Sequence, residues 1–275
     1  MGQGLELLTG FATAPGATFT GLTMAVGNTL TIRSADIRSR VGLLALWAFN
    51  QLNGAFRVRS PRLHDNQQGI RTVVKATTPI PRYPRFGFYQ GLIPQDVLTA
   101  EITGSVTAGQ QEIGALLIYY SDLPGVNGRF ATPEQVTAWG VNMMGQEVDV
   151  TTGAGGGYTG QVAVNLLAGT DQWKANTDYA LMGYCVDTDC GSVRIQGVDT
   201  GNLGVGGPGA SAFPDLTANW FVMLSELYNI PLIPVFNAAN KNAILVDVAQ
   251  NQAAAAVKIT FFFVELRPPS LRGAA

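Results

Sequence analysis

Leu44-Ala45-Leu46-Trp47 followed by Gly54-Ala55-Phe56-Arg57-Val58 is answered later in the chain by Leu181-Met182-Gly183-Tyr184 followed by Gly191-Ser192-Val193-Arg194-Ile195. Placing Gly54 on Gly191 gives a step of 137, and the same step sets Leu44 on Leu181, Trp47 on Tyr184 and Arg57 on Arg194. Both stretches read as strand, turn, strand. Three further matches keep the same order: Phe19-Thr20-Gly21 with Tyr158-Thr159-Gly160, a step of 139; Ile93-Pro94 with Ile233-Pro234, a step of 140; and Leu116–Leu123 with Ile259–Leu266, a step of 143. A drifting step is what small loop insertions produce, so the chain reads as two diverged copies of one unit.

The punctuation of the chain makes that unit all-β. Charged residues are 13% of 275, against roughly a quarter in an average soluble domain. The 33 Gly and 14 Pro supply turns, and there are few Glu/Lys pairs to solvate helix faces. In the first copy strands are predicted at Thr18–Val26, Thr29–Arg33, Gly42–Phe49, Ala55–Arg59, Gly69–Ala76, Asp96–Ser105 and Glu112–Tyr120. In the second they are predicted at Gly160–Leu166, Tyr179–Cys185, Ser192–Gly197, Trp220–Leu227, Ala243–Gln250 and Val257–Leu266. The nearly all-apolar Ile259–Val264 is expected to be covered on both faces. Thr132-Pro133-Glu134-Gln135 has an N-cap threonine and a proline at the first helical position, which predicts a short helix between the copies. The expected division is 1–150, with an N-terminal arm and the linking helix, and 151–275, with a C-terminal tail; each is about the size of an eight-stranded sandwich.

Chemistry is sparse. The single histidine, His64, makes a Ser-His-Asp triad possible only through itself, and no Gly-x-Ser-x-Gly elbow accompanies it. One histidine is also too few for the two- or three-His sites of double-barrel metalloenzymes. The run Gly153-Ala154-Gly155-Gly156-Gly157 lacks the Lys-Ser/Thr of a phosphate loop and reads as a linker. Asp187, Asp189 and the turn Asp199-Thr200-Gly201-Asn202 offer oxygens to Ca²⁺ or simple Asx-turn chemistry. No catalytic, cofactor or metal residue is assigned, and no cofactor is expected. Carboxylate-pair hydrolysis would need Asp187, Asp199 or Glu226 to share a groove, and sugar binding would need Trp173 or Trp220 exposed.

Net charge is −2, yet Arg33, Arg38, Arg40, Arg57, Arg59, Arg62, Arg71, Lys75, Arg82 and Arg85 fall in one stretch opposed by Asp36 and Asp65. These cations either form a basic face for phosphate or pair with acids of the second copy or of a neighbouring subunit. Cys185 and Cys190 either close a hairpin disulfide or stay a reduced pair. The longest apolar run, Val41–Phe49, falls short of the roughly 20 residues of a membrane span, and the start has no secretory-signal pattern. A mean hydropathy of +0.17 with so little charge suggests a surface covered by other protein.

The duplication, the unit size and the paired strands Leu116–Leu123 and Ile259–Leu266 resemble the double jelly-roll major capsid proteins of tailless, often membrane-containing icosahedral bacteriophages and related viruses. The resemblance implies two tandem jelly-roll β-sandwiches with few short helices, and a non-enzymatic virion protein whose homotrimers form pseudo-hexameric capsomers. It also implies contacts with penton or minor capsid proteins, and a base facing an internal membrane or genome. Leu5-Glu6-Leu7-Leu8 and the arginine-bearing first half are expected to supply that base, and the tail Arg267-Pro268-Pro269-Ser270-Leu271-Arg272 to tie neighbouring capsomers. The alternative is a two-jelly-roll hydrolase or a carbohydrate-binding or adhesion module.

Overall fold

Short apolar runs punctuated by glycine and proline become strands. The computed structural model describes residues 2–24, 30–33, 40–63, 67–84, 89–153, 155–158, 162–163 and 173–272. The first half carries β1 (Gly2–Thr13), β2 (Thr20–Gly21), β3 (Thr23–Met24), β4 (Val41–Phe49), β5 (Gly54–Arg59), β6 (Ile70–Val74), β7 (Gln90–Leu92), β8 (Thr99–Ile102) and β9 (Gln111–Leu123). The second carries β10 (Phe130–Ala131), α1 (Pro133–Trp139), β11 (Gly140–Thr151), β12 (Val162–Ala163), β13 (Asp178–Val186), β14 (Cys190–Gln196), β15 (Val205–Gly209), α2 (Pro214–Ala218), α3 (Trp220–Tyr228), β16 (Ile233–Asn237), β17 (Leu245–Ala249) and β18 (Ala256–Leu266).

These strands form four antiparallel sheets among the described residues. In the first half, β3-β1-β9-β4-β7 accompanies β2-β8-β5-β6; in the second, β10-β16-β13-β18-β11 accompanies β12-β17-β14-β15. Read from β1 and from β11, the two halves share one order: β1-β9-β4-β7 corresponds to β11-β18-β13-β16, and β2-β8-β5-β6 to β12-β17-β14-β15. This is the jelly-roll order, in which the first strand lies beside the last and the second beside the penultimate. β11 pairs with β18 over most of its length, so pairing places α1 and β11 with the second set of strands.

Matching irregularities fix the correspondence. β4 is bulged between Leu43 and Ala45 where it meets β9, and β13 between Leu181 and Gly183 where it meets β18. The corresponding strands β1 and β11 are likewise irregular at Gly2/Gly4 and at Gly140/Asn142. Leu43 to Leu181 and Gly2 to Gly140 are both steps of 138, so the step of 137 read from sequence is one residue off in β4, where Leu181 and Tyr184 match Leu43 and Leu46 and not Leu44 and Trp47; the ladders then place Ile118 on Phe263, a step of 145. The step of 143 read from sequence holds only at the strand ends, Leu123 and Leu266. Ile93-Pro94 and Ile233-Pro234 are not equivalent, because the ladders set Leu92 on Phe236.

Which strand is covered on both faces also differs from expectation. β18 alternates buried and half-buried residues, whereas all nine residues of β4 are buried. One face of β1, β9 and β4 contributes Leu8, Leu46, Leu116 and Ile118 to the core of the first sandwich. The other contributes Leu5, Leu7, Trp47 and Leu117 to a core continuous with Tyr184, Trp220 and Phe261 of the second. Leu5-Glu6-Leu7-Leu8 is therefore a buried segment of β1 and forms no arm. Glu6 tolerates this burial because Arg33 Nε lies 2.6 Å and the Tyr120 hydroxyl 2.8 Å from its carboxylate.

Trp220–Leu227, expected as a strand, lies in α3, with Trp220, Phe221, Leu224, Ser225 and Tyr228 buried along one stripe. The linking helix α1 forms as predicted: Thr132 accepts from the Gln135 backbone N–H while the Gln135 side chain accepts from Thr132 N–H, a reciprocal capping box. Most of Gly160–Leu166 lies outside the described residues.

Candidate assembly site: the seam between the sandwiches

The outer face of the β1-β9-β4 sheet packs against β14 and β15 of the second half. Gly206 permits the approach, since a Cβ built there would lie 3.0 Å from Leu7 Cδ2 across the seam, besides 1.9 Å from the Val193 carbonyl oxygen of neighbouring β14. Leu7 N–H donates to Gly204 C=O at 2.8 Å, and Trp47 Nε1 donates to Gly191 C=O at 2.7 Å. The Trp47 ring meets Trp220 edge-on, with centroids 6.0 Å apart. The Tyr228 hydroxyl donates to Leu44 C=O. Among hydroxyls, Thr9 Oγ1 lies 2.8 Å from Tyr158 Oη and 3.2 Å from Ser192 Oγ, while Tyr158 Oη and Ser192 Oγ are 2.7 Å apart.

Each sandwich carries the same cross-strand constellation at corresponding positions. In the first, Arg57 on β5 reaches Glu101 on β8 at 2.7 Å and lies 3.9 Å above the Phe19 ring. In the second, Arg194 on β14 reaches Asp247 on β17 at 3.4 Å and lies 3.9 Å above the Tyr158 ring. The guanidinium plane is suited to both partners at once, a carboxylate at its edge and a ring at its face. Arg59 also grips Glu101, at 2.8 Å. Hydrogen bonds from Arg59 and then Arg57, against some burial, hold the Glu101 carboxyl below its ordinary range. At the seam, burial pushes the Tyr158 phenol above its ordinary value, so it remains a neutral hydroxyl partner for Thr9 and Ser192.

The candidate catalytic and binding residues do not converge. Asp199 is buried and receives Arg129, Asn237 N–H and Asn240. Asp187 accepts from Lys258 N–H, and Asp189 caps the Ser211 turn, accepting from the Ser211 hydroxyl at 2.7 Å. Among the described residues no group of three or more His, Cys, Asp and Glu could hold a metal ion. Glu226 lines a cavity of about 210 Å³ with Glu134, Thr132, Ser225 and Asn229. The hydrogen bond from Thr132 holds Glu134 below the ordinary carboxylate range, the opposite of a general acid. Trp173 and Trp220 are 4% and 0% exposed, so neither is the exposed sugar platform that the binding-module alternative required. His64 lies outside the described residues. Cys185 and Cys190 are free thiols, one half-buried and one buried.

Within the basic stretch, Arg33, Arg57 and Arg59 pair with Glu6 and Glu101 of the first half itself, a pairing that neither reading of the sequence anticipated. The C-terminal Arg272 folds back to Asp178 at 2.8 Å, joining Arg129 at 2.7 Å and Asn237 at 2.7 Å on the same carboxylate. The tail is thus anchored within its own chain.

Comparison with known proteins adds neighbours. No protein-family model and no curated protein matches the chain. Among solved structures it is similar to the PBSX exported protein XepA, at 10% identity over 91% of this chain and 88% of that one, with a TM-score of 0.21. It is also similar to the major capsid protein P2 of bacteriophage PM2, at 7% identity over 97% of this chain and 99% of that one, with a TM-score of 0.22. Likenesses of this size fix no function, and the functional reading rests on the chain's own residues.

Proposed function

We propose that this chain is a non-enzymatic shell protein, a double jelly-roll major capsid protein whose homotrimers form pseudo-hexameric capsomers of an icosahedral virion. The observation that carries this is the repetition of one sandwich, down to its arginine, ring and carboxylate, with the two copies fused along a buried seam. Duplicated units joined in this way let three chains present six similar building blocks to a lattice. In this reading the first unit ends before β10 and the second begins with it, and penton or minor capsid proteins complete the shell. A face of the first half meets an internal membrane or genome.

Light scattering on the purified chain, with negative-stain imaging of the same fractions, tests the proposal. A stable trimer or hexagonal particle is expected. A monomer at all concentrations would overturn it.

A further inference from the structure

The internal seam uses one outer face from each sandwich, and each of those faces has a counterpart on the other sandwich that nothing in the chain's own seam covers. The geometry points to these two counterparts docking between chains: the β11-β18 face of one copy on the β5-β6 face of the next, repeating the internal seam. This rests on the shell-protein reading and specifies its subunit contact.

The correspondence can be followed residue by residue. Leu5 and Leu7, which pack at the seam, correspond to Met143 and Gly145; Leu117 corresponds to Phe262. Met143 is 73% exposed and Phe262 half-buried, so the counterpart of a buried strip is open to solvent. On the opposite side, Arg194 pairs with Gly206 across β14 and β15 as Arg57 pairs with Arg71 across β5 and β6. Gly206 is buried at the seam, whereas Arg71 is exposed and Val73 beside it is 83% exposed. β11 is moreover an edge strand whose only ladder partner among the described strands is β18, leaving one backbone edge for pairing.

The chemistry changes in a compensated way. At the internal seam Thr9 meets the hydroxyls of Tyr158 and Ser192. The counterparts of those two hydroxyl residues are Phe19 and Ala55, which have none, and the counterpart of Thr9 is Glu147. The counterpart of Gly206 is Arg71, whose guanidinium carbon lies 5.1 Å from the Phe19 ring centre. A hydroxyl contact on one seam thus becomes a carboxylate facing a guanidinium on the other; Asp149 extends the acidic strand, Lys258 lies 2.9 Å from Glu147 and 4.0 Å from Asp149, so this strip keeps one net negative charge, and the Glu147 and Asp149 side chains are 57% and 75% exposed. Opposite charge on the two free faces favours this head-to-tail contact and disfavours like faces meeting. A heterologous contact of this kind closes a ring when its rotation matches the internal one.

Cysteine cross-linking tests the pairing. A Cβ at Gly145 would have ordinary space, 3.5 Å from Thr260 Cγ2, and Arg71 is exposed, so both positions accept cysteine without disturbing the fold. The full chain carrying both Gly145→Cys and Arg71→Cys, gently oxidised, is expected to run as covalent trimer on a non-reducing gel, and a mixture of the two single variants as dimer. Glu147→Arg alone is expected to weaken association at least about tenfold, and adding Arg71→Glu to restore it. Trimers by light scattering that neither cross-link nor respond to Glu147→Arg would overturn this pairing of faces while leaving the shell reading intact. A native chain that stays monomeric would overturn both.

Discussion

Trp47 Nε1 donates a buried hydrogen bond to the carbonyl of Gly191 at 2.7 Å, donor and acceptor standing 144 positions apart in the chain. It ties β4 of the first sandwich to the start of β14 in the second. Replacing Trp47 by Phe keeps a ring against Trp220 but leaves that carbonyl without its donor. A loss of about 1–3 kcal/mol is expected in urea unfolding. Unfolding should remain a single transition, because the core is continuous across the seam.

The duplicated arginines differ in what surrounds them. The Arg194 and Asp247 side chains are 7% and 2% exposed. Arg194→Met takes the guanidinium from a buried carboxylate that keeps the Val248 N–H donor, and is expected to destabilise by roughly 3 kcal/mol. Arg57→Met leaves Glu101 its contact with Arg59 and is expected to lose about 1 kcal/mol or less. Equal losses in matched denaturation curves would contradict the stated difference in burial.

Buried Gly206 and exposed Gly145 have opposite tolerance. A methyl group at Gly206 meets the Val193 carbonyl on neighbouring β14 at 1.9 Å and Leu7 across the seam at 3.0 Å, so Gly206→Ala strains the β14–β15 pairing and is expected to destabilise by about 1–3 kcal/mol or more. Gly145→Ala has room, and relief of glycine's backbone entropy is expected to leave stability unchanged or raise it by about 0.5–1 kcal/mol. Thermal midpoints of the two variants at low protein concentration give the comparison.

Asp178 sets an acid limit. Burial alone would raise its carboxyl, yet hydrogen bonds from Arg129, Asn237 and Arg272 hold it below its ordinary value. A carboxyl lowered in the folded state stabilises above its unfolded value, roughly pH 4, and that contribution disappears as pH falls through the folded value. Asp178→Asn should lower stability at neutral pH and flatten its fall between about pH 4 and 2. Urea midpoints across that range check the sign.

The thiols should separate by accessibility. Burial raises both, and Cys190 is fully buried while Cys185 is half-buried with its sulfur near Pro214 C=O. In native protein near pH 8, a thiol reagent is expected to modify Cys185 slowly and Cys190 only after denaturant is added. Fast modification of both would mean the β13-β14 turn opens readily.

The repeat was legible because strand, turn and charged pair leave a local record. Arg57 and Arg194 align directly in sequence, and Phe19 falls on Tyr158, before any contact is known. What could not be read was register, since a two-residue slip keeps every side chain on its original face; hence Leu116–Leu123 was set two positions away from its true counterpart along most of its length. The carboxylates Glu101 and Asp247, which complete the repeated constellation, carried no signal beyond their position in a strand. Trp220–Leu227 reads as a strand because a short apolar run suits strand and helix alike, and its helical burial stripe emerges only against its neighbours.

The sequence by itself determined an all-β chain made of two related units with a capped helix between them, because glycine, proline and alternation act locally. Tertiary structure alone decided that β1 is buried instead of forming an arm, and that β4 rather than β18 is covered on both faces. It also decided that Trp173 and Trp220 are core. Each depends on which sheet packs on which, and an apolar residue facing a seam has the same local pattern as one facing its own core.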